Sequence, residues 1–311
     1  LMTWANWLLI LRTRFTRAYE IRISEEYSTH VFSFPKNLLL TADSEGAISC
    51  LYHVTMNYNE RLDKLFDKWR QRSIENNEAK DCYGNVIFTA DGLMKKNDDT
   101  IDVEKEWSES PKRIMFLLKD QPSEWSDDTR LWLKDNEDEE RNLRVEGNRN
   151  LKPRFIRNIA NVFYGLSNAR TADDCWLKAI PEEDIKAHFN TRPFAFVECK
   201  KQGGTTSIDD KELKTYLERY GDLLREEIEI LNPNIFVCSS HLIYAFVIDM
   251  FNKDELLTIP DHNSIRVHQP SGTIILCSYH PSARMNYEDF YEGVMWHYRA
   301  YLKYMAENNK S

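Results

Sequence analysis

Residues 113–118 read Arg-Ile-Met-Phe-Leu-Leu, and the uninterrupted apolar run that follows the arginine decides the fold class. A strand with water on one face alternates apolar and polar residues, whereas a strand covered on both faces has no need to alternate. Three later runs have the same character, at residues 194–197, 235–238 and 273–277. The sequence therefore predicts four strands that are buried on both faces of one sheet.

Helical patterns separate these runs and predict that the strands are parallel. Apolar residues recur at helical spacing in residues 155–166, 213–231 and 242–251, and again in a final helix that includes residues 287–302. Strands that alternate with helices form parallel sheets with helices on both faces. We therefore expect an α/β fold, a three-layer sandwich whose central, mainly parallel sheet has four strands.

The N-terminal part of the chain differs from the rest. Residues 1–55 show no sustained periodic pattern, whereas a well-formed amphipathic helix opens at Met56. No long linker divides residues 80–311. We therefore expect an N-terminal appendage at residues 1–55 that contributes little to the core, followed by one α/β domain at residues 56–311.

Composition narrows the class of protein. The net charge is −9, which argues against a strong non-specific DNA binder but leaves room for a local basic face. The six cysteines form no Cys-x-x-Cys pair, so we expect no metal, no cofactor, and reduced thiols in a cytoplasmic, intracellular protein. No stretch reaches the roughly 20 apolar residues of a membrane-spanning helix, so we expect no membrane partner.

Polar segments follow each of the four strands. Ligands of parallel sheets bind beyond the carboxyl ends of the strands, which directs attention to residues 119–122, 198–201, 239–241 and 278–282. A single aspartate at a strand end is more often a turn former, and a single histidine is more often structural. The functional prediction therefore rests on the order of these segments and on the motifs found together with them.

That order resembles the uracil-DNA glycosylase superfamily. In that family a motif of the type Gly-Glu-Ala-Pro or Gly-Gln-Asp-Pro follows the first core strand, and His-Pro-Ser follows the last. Here Lys-Asp-Gln-Pro stands at residues 119–122 and His-Pro-Ser-Ala-Arg at residues 280–284. The passage at residues 229–237 is similar to the helix-Pro-strand passage before the third core strand, and the resemblance covers roughly residues 110–300.

The resemblance implies a DNA glycosylase, a DNA-repair hydrolase that cuts the N-glycosidic bond of uracil or a related base flipped from single- or double-stranded DNA. The reaction builds positive charge on the sugar and negative charge on the departing base. Asp120 would stabilise the sugar cation or orient the attacking water, and His280 would stabilise the base. These two are the predicted catalytic residues.

The resemblance also assigns a base-binding set. Glu198 stands where the family places an asparagine, and an ionised carboxylate there would only accept hydrogen bonds, which suits an edge with two donors such as that of guanine. Trp125 could stack on the base or could anchor the core. Lys119 replaces a glycine of the family motif. The predicted base-binding residues are Glu198, Gln121, Trp125 and Ser282.

DNA contacts are predicted from two observations. The residues after His-Pro-Ser-Ala lie where the family inserts a wedge into the duplex, and basic residues are enriched in residues 141–157. A basic run also occurs on ordinary solvated surfaces, so the phosphate-binding interpretation has a structural alternative. The predicted DNA-binding residues are Arg284, Met285, Lys200, Lys201, Arg154 and Arg157.

Two other functions stay open at the level of sequence. A catalytically inactive module of the same fold could bind a nucleotide or nucleic acid, and the degenerate first motif and the charge of −9 favour it. An unrelated α/β-hydrolase-like enzyme ranks lowest, since the chain has no Gly-x-Ser-x-Gly motif.

Overall fold

The computed structural model describes residues 57–94, 100–120, 128–131, 154–203 and 208–308, and the backbone of two short strands before them. The chain divides into two compact units, Leu1–Met56 and Asn57–Ser311. In the first unit, β1 (Leu39–Ala42) and β2 (Ile48–Leu51) pair as an antiparallel hairpin. The contribution of residues 1–55 to the core stays a prediction.

The second unit alternates strands with helices along the described chain. Its α-helices are α1 (Tyr58–Glu75), α2 (Val103–Glu109), α3 (Arg154–Asn168), α4 (Glu182–Thr191), α5 (Asp210–Leu231), α6 (His241–Ile248) and α7 (Tyr287–Asn308). Its strands are β3 (Gly92–Leu93), β4 (Ile114–Leu118), β5 (Ala195–Glu198), β6 (Ile235–Cys238), β7 (Leu256–Ile259), β8 (His262–His268) and β9 (Thr273–Cys277).

These seven strands form one mixed sheet in the order β3-β5-β4-β6-β9-β8-β7. The four strands predicted from apolar runs are adjacent and parallel, because β4 pairs with both β5 and β6 and β6 pairs with β9. The other three are antiparallel to their neighbours. The chain therefore has an α/β fold, and the expected number of four strands is corrected to seven.

The three additional strands lack the signal that revealed the other four. β3 has only two residues, too few for any periodicity. β7 and β8 lie at one end of the sheet and are partly exposed, so polar residues such as Asn263 and Arg266 interrupt them. The sheet is extended on both sides by strands without a continuous apolar run.

Helices pack on both faces of the sheet, because successive side chains of a strand point to opposite sides. In β4, Phe116 belongs to the core formed with α3, α4 and α7. The next residue, Leu117, belongs to the core formed with α1, α5 and α6. Strands buried on both sides explain why the apolar runs are uninterrupted.

Local signals at helix ends fix the start of the central strands. Helix α5 ends at Asn232, which adopts the left-handed backbone conformation with φ of 47°. Two residues later the Asn234 backbone N–H donates to the Arg113 carbonyl at 3.0 Å, and the Asn234 side chain accepts from the Arg113 N–H at 2.7 Å. These bonds place β6 beside β4 in parallel register. No helix in the described part of the chain is long and apolar enough to cross a membrane.

Candidate functional site at the carboxyl ends of the parallel strands

The segments after the four parallel strands lie side by side. Leu118 pairs with Glu198, and Cys238 pairs with Cys277, so the strands end at nearly the same level. Backbone bonds continue the pairing into the loops, since the Lys200 N–H donates to the Lys119 carbonyl at 2.9 Å. The polar segments predicted from sequence therefore meet at one edge of the sheet.

Asp120 is a largely buried carboxyl group at the end of β4. Its side chain is 8% exposed, and Lys200 Nζ lies 3.9 Å from Oδ2, beyond hydrogen-bond distance. Oδ2 has no hydrogen-bond partner among the residues that the structure describes. Burial raises the pKa of Asp120 from 3.8 to about 6, against the opposing effect of Lys200. Asp120 is therefore mostly ionised near neutral pH but protonates in mild acid.

Glu198 ends β5 and is almost completely buried. Only 1% of the residue is exposed, and Oε2 has no hydrogen-bond partner within the described part of the chain. Burial raises its pKa well above the ordinary value, and the nearby carboxyl groups of Asp91 and Asp120 raise it further. This environment opposes the ionised form of Glu198 that the sequence interpretation assumed.

His280 is held as a neutral hydrogen-bond donor. Its Nδ1 accepts the backbone N–H of Ser282 at 3.2 Å, so the proton of the neutral ring is on Nε2. Burial lowers the pKa of His280 to about 4, and the charge of Lys119 lowers it as well. Lys119 also acts on the pKa of Asp120, which places both predicted catalytic residues near one ammonium group.

Helix α3 fixes the loop that carries His280. Asn158 is completely buried, and its Nδ2 donates to the Pro281 carbonyl at 2.7 Å. The ring of Phe155 lies 5.9 Å from the His280 ring and 5.9 Å from the Phe196 ring in β5. Sequence reasoning missed Phe155 and Asn158. The available signal was a polar residue, Asn158, on the apolar stripe of the helix.

Ser239 is a second residue that sequence reasoning did not select. It follows β6, is 5% exposed, and its Oγ has no hydrogen-bond partner among the described residues. Buried polar atoms without partners are rare in native proteins, so the three that follow neighbouring strands here make this sheet edge a candidate ligand-binding site. We refer to Asp120, Glu198, Ser239 and His280 as the strand-end group.

The other predicted site residues differ in whether the structure describes them and in how far they are exposed. Gln121 and Trp125 lie outside the described residues. Ser282 is exposed and contributes its backbone N–H to His280. Arg284 is exposed beside the His-Pro-Ser loop, whereas Met285 is partly buried against the core.

Among the basic residues predicted to contact DNA, some are exposed and others form ion pairs with acidic side chains. Arg154 is exposed and donates to the Ala283 carbonyl at 3.3 Å, so it borders the loop that carries His280. Arg157 pairs with Glu182 at 3.2 Å. Lys200 pairs with Glu212 at 3.0 Å while lying near Asp120.

The prediction that Lys201 contacts DNA is wrong. Lys201 is completely buried, and its Nζ forms ion pairs with Asp91 and, at 2.8 Å, with Glu227. The ammonium also lies over the rings of Phe66 and Trp69, at 5.5 and 5.2 Å from their centroids. A side chain held in this way has no access to a DNA phosphate. We refer to Asp91, Lys201 and Glu227 as the buried ion cluster.

A cavity of about 470 Å³ lies at the opposite end of the strands. Its lining includes Lys112 and Pro193, which precede β4 and β5, together with Phe163 and His188. It is therefore separate from the strand-end group. Within the described ranges, no three His, Cys, Asp or Glu side chains are grouped so that they could hold a metal ion.

Comparison with known proteins gives no match on which a function could be based, so the functional argument rests on the geometry of the site. No protein-family model matches the chain, and no curated protein is significantly similar to it in sequence. The observations that bear on function are therefore the positions, burial and protonation of the residues at the strand ends.

Proposed function

We propose that the chain is a DNA glycosylase of the uracil-DNA glycosylase type, which hydrolyses the N-glycosidic bond of a damaged or modified base flipped out of DNA. The observation that carries the proposal is the state of two residues at one sheet edge. Asp120, with a pKa of about 6, is mostly ionised near neutral pH, and His280, with a pKa of about 4, is neutral. These are the states that the reaction requires.

The chemistry assigns a different charge to each residue. As the bond between sugar and base breaks, positive charge develops on the sugar, and the Asp120 carboxylate stabilises it or orients the attacking water. Negative charge develops on the base, and the Nε2–H of His280 donates a hydrogen bond to it. A neutral histidine suits this role because its donor is already positioned by the Ser282 backbone.

In this proposal the four parallel strands β4, β5, β6 and β9 are the uracil-DNA glycosylase-like core, and the three antiparallel strands are additions to it. Exposed groups border the strand-end group on the side of the His-Pro-Ser loop. Tyr279 is 64% exposed and offers an aromatic face to a base, while Arg154 and Arg284 offer positive charge to the DNA backbone.

A non-catalytic module that binds a nucleotide or nucleic acid is the second candidate. The position of Lys200 supports it, because its ammonium lies 3.9 Å from Asp120 and competes for the carboxylate that the reaction needs. The overall charge of −9 also weakens sequence-independent binding to duplex DNA. This candidate predicts affinity without turnover.

The two candidates are separated by measuring release and binding on the same oligonucleotides. Single- and double-stranded oligonucleotides with one central uracil or hypoxanthine are incubated with the protein, and the free base and the abasic product are quantified. Identical oligonucleotides with unmodified bases are the control. The glycosylase proposal predicts abasic product from a modified oligonucleotide only. Selective binding without product supports the binding module, and neither binding nor release contradicts both candidates.

A further inference from the structure

The cavity at the amino ends of the parallel strands is separate from the strand-end group and is large enough to hold a small molecule. Its volume of about 470 Å³ lies within the range of ligand pockets, roughly 300–1,000 Å³. Three helices end at its wall, α2 at Glu109, α3 at Asn168 and α4 just before Arg192, and these three residues line it. We refer to it as the helix-end cavity.

Helix α2 gives the helix-end cavity an acidic side. Glu106 and Glu109 both line the cavity, and both belong to the last turn of α2, which has no basic residue. The negative end of a helix dipole disfavours acids in the last turn, so the stability of the helix explains neither carboxylate. Glu106 Oε2 is buried and has no hydrogen-bond partner among the described residues. A hydrogen-bond donor from a ligand would satisfy this oxygen.

The facing side of the helix-end cavity is basic, and one of its three cations is already engaged. Lys112 Nζ donates to the Leu166 carbonyl at 2.7 Å and to the Ala169 carbonyl at 2.8 Å, so it caps the end of α3. Arg170 forms no ion pair with an acid of the described residues, and the side chain of Arg192 is 63% exposed. Two guanidinium groups are therefore available to a ligand.

Opposite charges stand side by side in the helix-end cavity without a hydrogen bond between them. Arg192 Nη1 lies 3.9 Å from Glu106 Oε2, which is beyond hydrogen-bond distance. A lone cation would pair with Glu106 but would be repelled by Arg192, and a lone anion would meet the reverse problem. A ligand that carries one positive and one negative group next to each other is complementary to both. In an α-amino acid, the ammonium and the carboxylate are attached to the same carbon atom.

The remaining wall of the helix-end cavity is suited to an apolar side chain. Pro111 and Pro193 line it, together with the rings of Phe163 and His188, whose centroids lie 4.6 Å apart. Ligand pockets combine such apolar and aromatic walls with a few polar groups that fix the orientation of the ligand. The cavity therefore has a place for the side chain of an amino acid as well as for its two charged groups.

We propose that the helix-end cavity binds a free α-amino acid with an apolar side chain, whose ammonium group pairs with Glu106 and whose carboxylate pairs with Arg192. This site does not share a residue with the strand-end group. Binding of an amino acid and release of a base from DNA can therefore be tested, and can fail, independently of each other.

Three small molecules that differ only in charge test the ligand class. L-phenylalanine carries both groups, phenethylamine lacks the carboxylate, and hydrocinnamate lacks the ammonium. Each is titrated into the full chain, and the side-chain signals of nitrogen-15-labelled arginine are followed by NMR, with Arg170→Gln and Arg192→Gln identifying the signals of the cavity. These signals show whether binding occurs in the helix-end cavity.

For the wild type, we expect L-phenylalanine to shift the cavity signals with a Kd of about 1 mM or below. We expect phenethylamine and hydrocinnamate each to bind more weakly by on the order of tenfold or more, because each leaves one charged group of the cavity unpaired. Equal affinity for either singly charged analogue would overturn the inference, and so would the absence of binding by L-phenylalanine.

Substitutions assign each charge of the ligand to its partner in the cavity. Glu106→Gln should weaken L-phenylalanine by on the order of tenfold without weakening hydrocinnamate, and Arg192→Gln should weaken L-phenylalanine without weakening phenethylamine. The matched control is Glu75→Gln, which removes an exposed carboxylate at the end of α1 and should leave all three affinities unchanged. If Glu106→Gln binds L-phenylalanine as tightly as the wild type does, or weakens hydrocinnamate equally, the inference is wrong.

Discussion

Two groups of buried acids lie a few residues apart at one edge of the sheet, and they differ in whether a buried cation accompanies them. In the buried ion cluster, Lys201 pairs with Asp91 and Glu227. In the strand-end group, Asp120 and Glu198 each have an oxygen without a hydrogen-bond partner in the described chain. The first group therefore contains its own fully buried cation, Lys201, whereas the strand-end group contains none.

This difference predicts which side chains contribute mainly to stability and which contribute mainly to function. Removing one partner of a buried ion pair leaves the other charge alone in the interior, which is strongly destabilising. Partnerless buried groups lower stability and are kept where they serve binding or catalysis. Substitutions in the buried ion cluster should therefore change stability, and substitutions in the strand-end group should change activity.

The largest effect is expected from Lys201→Met. Methionine fills the space but removes the only ammonium of the cluster, so the free energy of unfolding should fall by about 3–5 kcal/mol. The adjacent Lys200→Met is the matched control, because Lys200 pairs with the half-exposed Glu212 and should cost at most about 1 kcal/mol. Urea denaturation measures both. Equal losses at the two positions would show that the cluster has no special structural role.

His280→Ala should reduce base release by on the order of 100-fold without unfolding the protein, because the donor to the departing base is lost. His268→Ala is the control, since it removes an imidazole from the last residue of β8, which pairs with Thr273 at the opposite end of β9. Single-turnover kinetics on the preferred oligonucleotide measures both variants. A wild-type rate in His280→Ala would remove His280 from the mechanism.

The difference in stability between Asp120→Asn and wild type should depend on pH in a defined direction. The folded-state pKa of Asp120 is raised from 3.8 to about 6, so the wild type loses stability as pH rises through this window and no further above it. The stability of the Asp120→Asn variant relative to wild type should therefore increase by about 1–3 kcal/mol between these pH values. Thermal unfolding at several pH values tests this, and a pH-independent difference would contradict the raised pKa.

The smallest effect is expected from removal of the N-terminal residues. A chain that begins at Met56 keeps Asn57, whose side chain caps α1, and all seven strands of the sheet. We expect its thermal unfolding midpoint to stay close to that of the full chain. A large decrease in the midpoint would show that residues 1–55 belong to the core.

The central sheet could be predicted from sequence because strands buried on both faces appear in the sequence as continuous apolar runs. Residues 114–118 are apolar without interruption, and this pattern is visible without knowledge of their neighbours in space. The short β3 has no such signal, and its Gly92 has a positive φ of 124° where a Cβ would lie 2.7 Å from Leu62. Such a close approach between α1 and the sheet exists only in three dimensions.

The candidate site was predictable where position along a strand decided the outcome. Asp120 and His280 were selected because they follow parallel strands, whose carboxyl ends meet at one edge, and lie in loops that resemble the two site motifs of the uracil-DNA glycosylase superfamily. Lys200 and Lys201 could not be told apart, since nothing in a Lys-Lys pair indicates which side chain turns inward. The burial that raises the pKa of Glu198, and the contact of its backbone N–H with Asp91 more than 100 residues away in the sequence, exist only in three dimensions.

Base cleavage by the strand-end group is tested by comparing wild type with the double variant Asp120→Asn/His280→Ala. Release of uracil from a single-stranded oligonucleotide is followed in single-turnover reactions near neutral pH, and binding is measured on the same oligonucleotide. Catalysis by these two residues predicts that the wild type releases uracil faster than the double variant by on the order of 100-fold or more. It also predicts that the double variant binds with similar affinity, since these interactions strengthen mainly in the transition state. Release by the wild type no faster than by the double variant would contradict it.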